Sequence, residues 1–292
     1  MDQFHDGHHV WLRSRALGTY LHADDDGQGV SLRESRASLN AAWAVQQLHH
    51  RYDLYLLLRS AAYGRYLAAT NTRPPLGHPG FRVAQRSYAF LEVGPIMWQA
   101  FGAGPGNDGV LLRDVDGRYL RANGKHIPWN HGASVDEFDH VSNMRHWIVE
   151  PIPARQSMPV LPATIRASFL ENLSMVMFGR VVAAADRRRR RLVRFVRAAN
   201  DGAYTEEGWS AFQFTGRSVQ HLRYQLANHV QSYNFIMCVR AGLYGTLTPL
   251  VVDLPSGRNG DIIEIVLFRN GTPGESLSLC ANALRHPDVD AE

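Results

Sequence analysis

The chain has 292 residues, of which 45% are hydrophobic and 20% are charged, and its formal net charge is +4. This length predicts about two domains, and the composition is that of a folded chain with a sizeable core, which excludes an intrinsically disordered protein. No apolar run is long enough for a membrane-spanning helix, and the first residues lack the basic and apolar regions of a secretory signal. We therefore expect no membrane partner and a cytoplasmic protein, with the nucleus as a second location.

Cysteines and histidines give no sign of a cofactor or a metal site. The two cysteines, Cys238 and Cys280, lie among apolar residues, where cysteine acts as a small hydrophobic side chain. The 14 histidines show none of the short spacings that zinc sites use. We expect neither a metal nor a cofactor.

Three segments in the first half of the chain share one pattern. Each has an apolar run that ends in arginine, then a glycine, and then the sequence Tyr-Leu-x-Ala. The run and the Tyr-Leu-x-Ala segment predict two strands joined by a tight turn, in which glycine takes a positive φ without penalty. Alternation along the second strand places its Leu and Ala on one face and its Tyr on the other. The glycines and the tryptophans that close the three copies are Gly18, Gly64 and Gly117, and Trp43, Trp98 and Trp147.

The number of copies decides the predicted architecture. A β-propeller usually has four or more blades, and the segments lack the helical period of an α-repeat. Three all-β units of about 50 residues are instead typical of a β-trefoil, whose closure removes exposed strand edges. We predict a mainly β protein with a β-trefoil over residues 1–151.

The second half predicts a smaller α+β domain over residues 187–292, after a linker and uncertain segment over 152–186. Its predicted helix begins after Ser218, an N-cap candidate, and apolar residues recur on it at helical spacing. The order strand, strand, helix, strand, strand, strand is similar to a ubiquitin-like β-grasp module. The predicted strands cover residues 192–196, 209–214, 235–240, 250–254 and 262–268.

Several motifs carry a family resemblance. The Gly-x-Tyr-Leu-x-Ala hairpin with its closing tryptophan resembles the fascin-like, actin-crosslinking class of β-trefoil. A finer resemblance is to the plant family called domain of unknown function 569. It rests on Leu12–Arg15, Asn40–Trp43, Leu76–Gly80, Tyr119–Gly124, Trp147–Glu150, Cys238–Gly242 and Leu247–Pro255. The resemblance implies a binding role, with actin as a candidate partner and a stress-related role in a plant.

Repeat-equivalent arginines are the first candidate binding residues. Arg13, Arg59 and Arg113 end the three apolar runs, and Arg65 and Arg118 follow the glycines of the second and third copies. They could form a basic face toward an acidic protein such as actin, or each could pair locally. Local pairing is the favoured interpretation, because duplication by itself leaves equivalent residues.

A run of five arginines is the second candidate. It consists of Arg187, Arg188, Arg189, Arg190 and Arg191. The run could be a nuclear localisation signal or a patch for an acidic partner, but a solvated lead-in to a strand is the favoured interpretation. Nucleic acid is disfavoured as the main partner, since no stacking aromatics are interleaved with the basic residues.

We therefore predict a non-enzymatic protein-binding or scaffold protein. The alternative is a carbohydrate-binding, lectin-like trefoil, although the Gln-x-Trp signature of ricin-type trefoils is absent before all three closing tryptophans. An enzyme is a third option without support, because the sequence has no Gly-x-Ser-x-Gly nucleophile elbow.

Overall fold

A computed structural model provides the fold. It describes residues 3–74, 76–89, 93–104, 108–124, 132–137, 142–154, 161, 190–257 and 260–272. Most of the predicted linker, together with Arg187, Arg188, Arg189 and Cys280, lies outside these ranges. Within them, no helix has both the length and the apolar character to cross a membrane.

The first domain is the predicted β-trefoil. Its twelve strands are antiparallel and close around one core, with four strands from each repeat. The strands are β1 His9–Ser14, β2 Tyr20–Ala23, β3 Val30–Arg33, β4 Ala42–His50, β5 Asp53–Ser60, β6 Tyr66–Ala69, β7 Phe81–Arg86, β8 Trp98–Gly102, β9 Val110–Asp114, β10 Tyr119–Ala122, β11 Ala133–Asp136 and β12 Trp147–Ile152. Two short 3₁₀ helices precede β8 and β12, at Gly94–Ile96 and Asn143–Arg145.

The closing tryptophans fill the trefoil core, as predicted. All three are fully buried, and each indole Nε1 donates a hydrogen bond to the carbonyl of the leucine in the Tyr-Leu-x-Ala strand of its own repeat. The bonds are Trp43 to Leu21 at 2.9 Å, Trp98 to Leu67 at 3.0 Å and Trp147 to Leu120 at 3.0 Å. The same hydrogen bond therefore occurs once in each repeat, so these side-chain contacts follow the threefold symmetry of the domain.

The repeat hairpins also have the predicted geometry. The φ values of Gly18, Gly64 and Gly117 are +70°, +68° and +83°, a region that disfavours any residue with a Cβ. In the first two copies the Leu and Ala of the return strand lie in the main core, and the Tyr packs in a separate cluster on the other face.

The second domain is a ubiquitin-like β-grasp, also as predicted. Its five-stranded sheet has the order β14-β13-β17-β15-β16, with β13 and β17 parallel at its centre. The elements are β13 Arg190–Arg197, β14 Ser210–Thr215, α1 Val219–Val230, β15 Phe235–Arg240, β16 Thr248–Pro249 and β17 Ile262–Arg269.

The helix of this domain begins where the sequence predicted it. The Ser218 hydroxyl accepts a hydrogen bond from the backbone N–H of His221, which satisfies one of the unpaired donors of the first turn. The apolar residues of the predicted face are all buried against the sheet: Val219, Leu222, Leu226 and Val230.

One predicted strand is wrong. Residues 250–254 are not a strand, and β16 consists only of Thr248–Pro249. The segment is apolar because Leu250 and Leu254 are each 1% exposed in the core. It departs from the sheet to reach the start of the helix, where Asp253 Oδ1 accepts the Val219 N–H at 3.0 Å. The segment is therefore buried but not paired in the sheet, and its burial explains why its sequence resembles that of a strand.

Candidate functional site

Three equivalent surfaces of the trefoil hold the predicted arginines. In each repeat the arginine that ends the apolar run pairs across the hairpin with the tyrosine of Tyr-Leu-x-Ala. A third side chain comes from the closing strand of the preceding repeat, three residues after its tryptophan, and for the first repeat the preceding one is the third. We call these surfaces the first face (Arg13, Tyr20, Glu150), the second face (Arg59, Tyr66, Gln46) and the third face (Arg113, Tyr119, Phe101).

The first face is closed by an acidic side chain. Arg13 Nε donates to Glu150 Oε1 at 2.5 Å, and the Tyr20 hydroxyl donates to the other carboxylate oxygen at 3.3 Å. Arg36 adds a further bond to Glu150 at 3.2 Å and lies over the Trp11 ring. The hydrogen bond to Glu150 raises the pKa of Arg13. Local pairing therefore satisfies the charge of this arginine.

The second face holds a segment of the other domain. Arg59 is 3% exposed, and its Nη1 donates to the carbonyl of Leu247 at 3.0 Å and also contacts Thr248 Oγ1. Burial lowers the pKa of Arg59. This arginine therefore contributes to the domain interface rather than to an exposed basic surface.

The tyrosine and glutamine of the second face complete this contact. The Tyr66 hydroxyl accepts the backbone N–H of Thr246 at 3.0 Å and donates to Gln46 Oε1 at 3.2 Å. The Thr246 hydroxyl donates to the same glutamine oxygen at 3.1 Å. All three members of the second face therefore bind the segment Thr246–Thr248, through its backbone and through short polar side chains.

The third face has neither an acidic partner nor a bound segment among the described residues. Arg113 Nη2 donates to Gln99 Oε1 at 2.8 Å, and the guanidinium lies 4.4 Å from the centre of the Phe101 ring. Phe101 is 37% exposed. Among the described residues, no carboxylate forms an ion pair with Arg113. This face therefore combines a cation that no described carboxylate neutralises with an exposed aromatic side chain.

The other repeat arginines have separate environments. Arg118 is 8% exposed, and it donates to Asp114 Oδ2 at 2.7 Å and to Asp116 Oδ2 at 2.9 Å. Arg65 donates from Nη1 to the carbonyl of Gly27 at 2.6 Å, and it borders the second domain. The five repeat arginines thus do not come together on one surface.

Two arginines of the run, Arg190 and Arg191, lie in the described part of the chain, and they differ in burial. Arg190 is exposed at the first position of β13, but Arg191 is 1% exposed and its Nη2 donates to the Ser256 carbonyl at 2.7 Å. The solvated interpretation is therefore wrong for Arg191. This side chain is a packed part of the strand because it lies against the loop before β17.

Sequence reasoning missed the residues that join the two domains. Tyr88 forms two backbone hydrogen bonds across the interface, with the Ala241 carbonyl at 2.7 Å and with the Tyr244 N–H at 2.9 Å. Asp25 accepts the Ser256 N–H at 2.6 Å through its carbonyl. No local sequence signal marked these residues, because their partners are distant in the chain.

The described residues contain no group of three histidine, cysteine, aspartate or glutamate side chains arranged to hold a metal.

Two family models match this chain, one for each domain. Residues 1–150, half of the chain, match the family model described as the β-trefoil domain of unknown function DUF569. The chain belongs to the DUF569 family. Residues 189–268 of this DUF569 protein match the model described as the DUF569-associated ubiquitin-like domain. The family resemblance predicted from the motifs is confirmed, whereas its fascin-like detail stays a prediction.

Several solved structures align with about half of this DUF569 protein. The ricin B-like lectin of Macrolepiota procera, solved with lactose, is 15% identical over 50% of this chain and 96% of its own, with a TM-score of 0.41. A Caenorhabditis elegans protein of unknown function is 16% identical over 51% and 96%, with a TM-score of 0.42. The designed protein ThreeFoil is 17% identical over 49% and 97%, with a TM-score of 0.39. No curated protein matches the chain.

Proposed function

We propose that this DUF569 protein is a non-enzymatic protein-binding scaffold whose trefoil binds polypeptide segments through its Arg-Tyr faces. The observation that carries the proposal is the second face, where Arg59, Tyr66 and Gln46 hold Thr246–Thr248 of the same chain. A surface that holds one extended segment within the chain has the chemistry to hold another from a partner.

The third face is the surface that we propose for a partner. Arg113 offers guanidinium donors to a carboxylate or a backbone carbonyl, and Phe101 offers exposed apolar area beside it. Aromatic and arginine side chains are enriched where protein interfaces gain most of their binding energy. The face therefore suits a segment in which an acidic group neighbours an apolar side chain.

Actin is the first partner to test, because the fascin-like resemblance points to it and its surface is acidic. Actin binding would place the protein in the cytoplasm, and the stress-related role stays tied to the plant family. The assay is co-sedimentation with F-actin at micromolar protein and low salt. We expect Arg113→Glu to remove most of the pelleted protein, and Arg73→Glu, the same charge change at an exposed arginine, to remove little. If the unmodified protein stays in the supernatant, actin is excluded as the partner.

A second experiment tests protein binding without assuming actin. A photo-crosslinking amino acid replaces Phe101, and a control protein carries it at Tyr52, which is fully exposed. We expect crosslinked bands from plant cytosol at position 101 that are absent at position 52 and reduced by Arg113→Glu. Equal labelling at both positions would contradict the proposal. Binding to a glycan array that depends on Arg113 would favour the lectin-like alternative.

A further inference from the structure

A cavity of about 250 Å³ lies between the two domains. Tyr63, Arg65 and Ser87 form its trefoil side. The ubiquitin-like side comes from the middle of β13, the end of β15, the start of β17 and the loop before β17. At about 30 Å³ for each water molecule, the space is equivalent to about eight waters, or to a ligand of about ten non-hydrogen atoms.

The walls of this cavity are mainly aliphatic on the side of the ubiquitin-like domain. Pro255 and Ile263 are partly exposed and contribute apolar surface, Ile262 is 55% exposed, and the buried side chains of Leu250 and Leu254 lie behind them. Such walls favour the apolar body of a small molecule, because transfer of apolar area out of water is favourable.

Among the described residues, some of the arginines at the cavity form ion pairs with carboxylates, and one does not. Arg194 and Arg240 both bind Glu264, at 2.7 Å and 2.9 Å, and Arg240 also binds Glu206. These two arginines and two carboxylates therefore balance one another. They form a fixed polar boundary at one end of the cavity.

Arg65 forms no ion pair with any residue in the described part of the chain. It makes one side-chain hydrogen bond, from Nη1 to the Gly27 carbonyl, and its Nε and Nη2 bond to no described residue. Burial lowers the pKa of Arg65, and the charges of Asp261 and Asp26 offset this only from beyond ion-pair distance. The guanidinium of Arg65 is partly desolvated and keeps two donor nitrogens, Nε and Nη2, at the cavity wall. This arrangement suits a carboxylate, because a guanidinium binds a carboxylate in bidentate geometry.

We infer that the interdomain cavity binds a small organic monocarboxylate, with its carboxylate on Arg65 and its apolar body against Pro255 and Ile263. A monoanion fits better than a dianion such as phosphate, because Arg65 supplies a single positive charge, while the charges of the cluster Arg194, Arg240, Glu206 and Glu264 balance one another. Nothing in the protein-binding proposal requires this site, which uses Arg65 and not the third face.

The test compares probes that differ only in charge. Phenylacetate and phenylacetamide have nearly the same shape, as do hexanoate and hexanamide, and isothermal titration calorimetry measures all four on the full chain. We expect each carboxylate to bind at least about tenfold more tightly than its amide, the effect of a hydrogen bond to a charged group. Equal affinity within both pairs, or no binding of any probe at 10 mM (roughly the weakest affinity worth considering for ten atoms), would overturn the inference.

Variants locate the binding. Arg65→Gln should remove the preference for the carboxylates, whereas Arg73→Gln, at an exposed arginine outside the cavity, should retain it. Ser87 is exposed at the cavity wall, so Ser87→Trp should block all four probes without disturbing the core. Circular dichroism confirms folding of each variant. Retention of the preference in Arg65→Gln, or unchanged binding in Ser87→Trp, would place the ligand elsewhere and contradict the inference.

Discussion

The guanidinium of Arg59 and the carbonyl oxygen of Leu247 lie 3.0 Å apart, although one belongs to the trefoil and the other to the ubiquitin-like domain. The same arginine in the first repeat, Arg13, instead pairs with Glu150 within the trefoil. One sequence position therefore has two roles, which depend on the chain that faces it.

Replacing Arg59 should weaken the link between the domains. Arg59→Leu leaves buried oxygens of the segment Thr246–Thr248 without their donor, and each unsatisfied buried group costs about 1–3 kcal/mol. We expect a loss of about 2–4 kcal/mol in the free energy of unfolding by urea and faster hydrogen exchange at Thr246. Arg13→Leu is the control, with an effect of about 0–1 kcal/mol for a partly exposed ion pair. Equal effects of the two variants would contradict the special role of the second face.

Substitutions at the hairpin glycines test the packing between the two domains without changing the charge of the protein. Gly18→Ala meets no atom within 4 Å, whereas a Cβ at Gly64 would lie 2.9 Å from Thr248 Oγ1 and 3.3 Å from Val239 Cγ1. Both positions have the left-handed conformation, which costs about 1–2 kcal/mol for a residue with a Cβ. We expect Gly64→Ala to lose more stability than Gly18→Ala, by about 1–3 kcal/mol of overpacking, in parallel urea denaturation. The same loss in both would mean that the interface tolerates the added methyl group.

The three closing tryptophans should respond alike to substitution. Each variant Trp43→Phe, Trp98→Phe or Trp147→Phe removes the same buried indole N–H and leaves the same leucine carbonyl unsatisfied. We expect each to lower the free energy of unfolding by about 1–3 kcal/mol, with a spread of about 1 kcal/mol. Denaturation followed by circular dichroism avoids the change in tryptophan fluorescence. If one variant left the free energy of unfolding unchanged, the three equivalent hydrogen bonds would not contribute equally to stability.

Acid should destabilise the trefoil through His22. Burial lowers the pKa of His22 from 6.5 to about 4, although its ring nitrogen lies 2.7 Å from the Ser35 carbonyl. The unfolded chain binds a proton first, so this contribution to stability is complete above pH 6.5 and is lost as the pH falls toward 4. The loss is roughly 3 kcal/mol.

A matched variant isolates this contribution. The second repeat has Ala68 at the position of His22, so His22→Ala copies a side chain that the fold already accepts. Urea denaturation between pH 7 and pH 4 should give a smaller decline for His22→Ala than for the unmodified protein. Parallel declines would mean that other groups cause the acid sensitivity.

Two neighbouring arginines should differ sharply. Arg191→Leu removes the donor to the buried Ser256 carbonyl and should cost about 2–3 kcal/mol, whereas Arg190→Leu changes an exposed side chain and should cost less than about 0.5 kcal/mol. Thermal unfolding of the two variants checks this. It also bears on the localisation signal, because a folded chain does not present Arg191 to a receptor. Similar melting temperatures would show that Arg191 contributes little to the strand.

The sequence predicted the fold well because its signals are local. The positive φ of Gly64 and the burial of Trp98 follow from motifs that recur in three copies, and Ser218 marks the helix start within one turn. The site was less predictable, since Arg13, Arg59 and Arg113 are identical in the sequence. What separates them is the residue packed against each one, and for Arg59 that residue lies almost 190 positions away. The strand predicted over residues 250–254 was wrong for a related reason. A buried loop and a buried strand have equally apolar sequences, so the pattern around Leu254 could not distinguish them.

Occupation of the second face sets the valence of the protein. A trefoil with three equivalent faces could gather three copies of one partner and start a branched assembly. Here Glu150 closes the first face and the protein's own Thr246–Thr248 fills the second, so among the described residues only the third face lacks such a contact. If the protein binds a partner through that face, we expect one partner for each chain. If that partner is a filament, we expect decoration along its side rather than crosslinking into bundles.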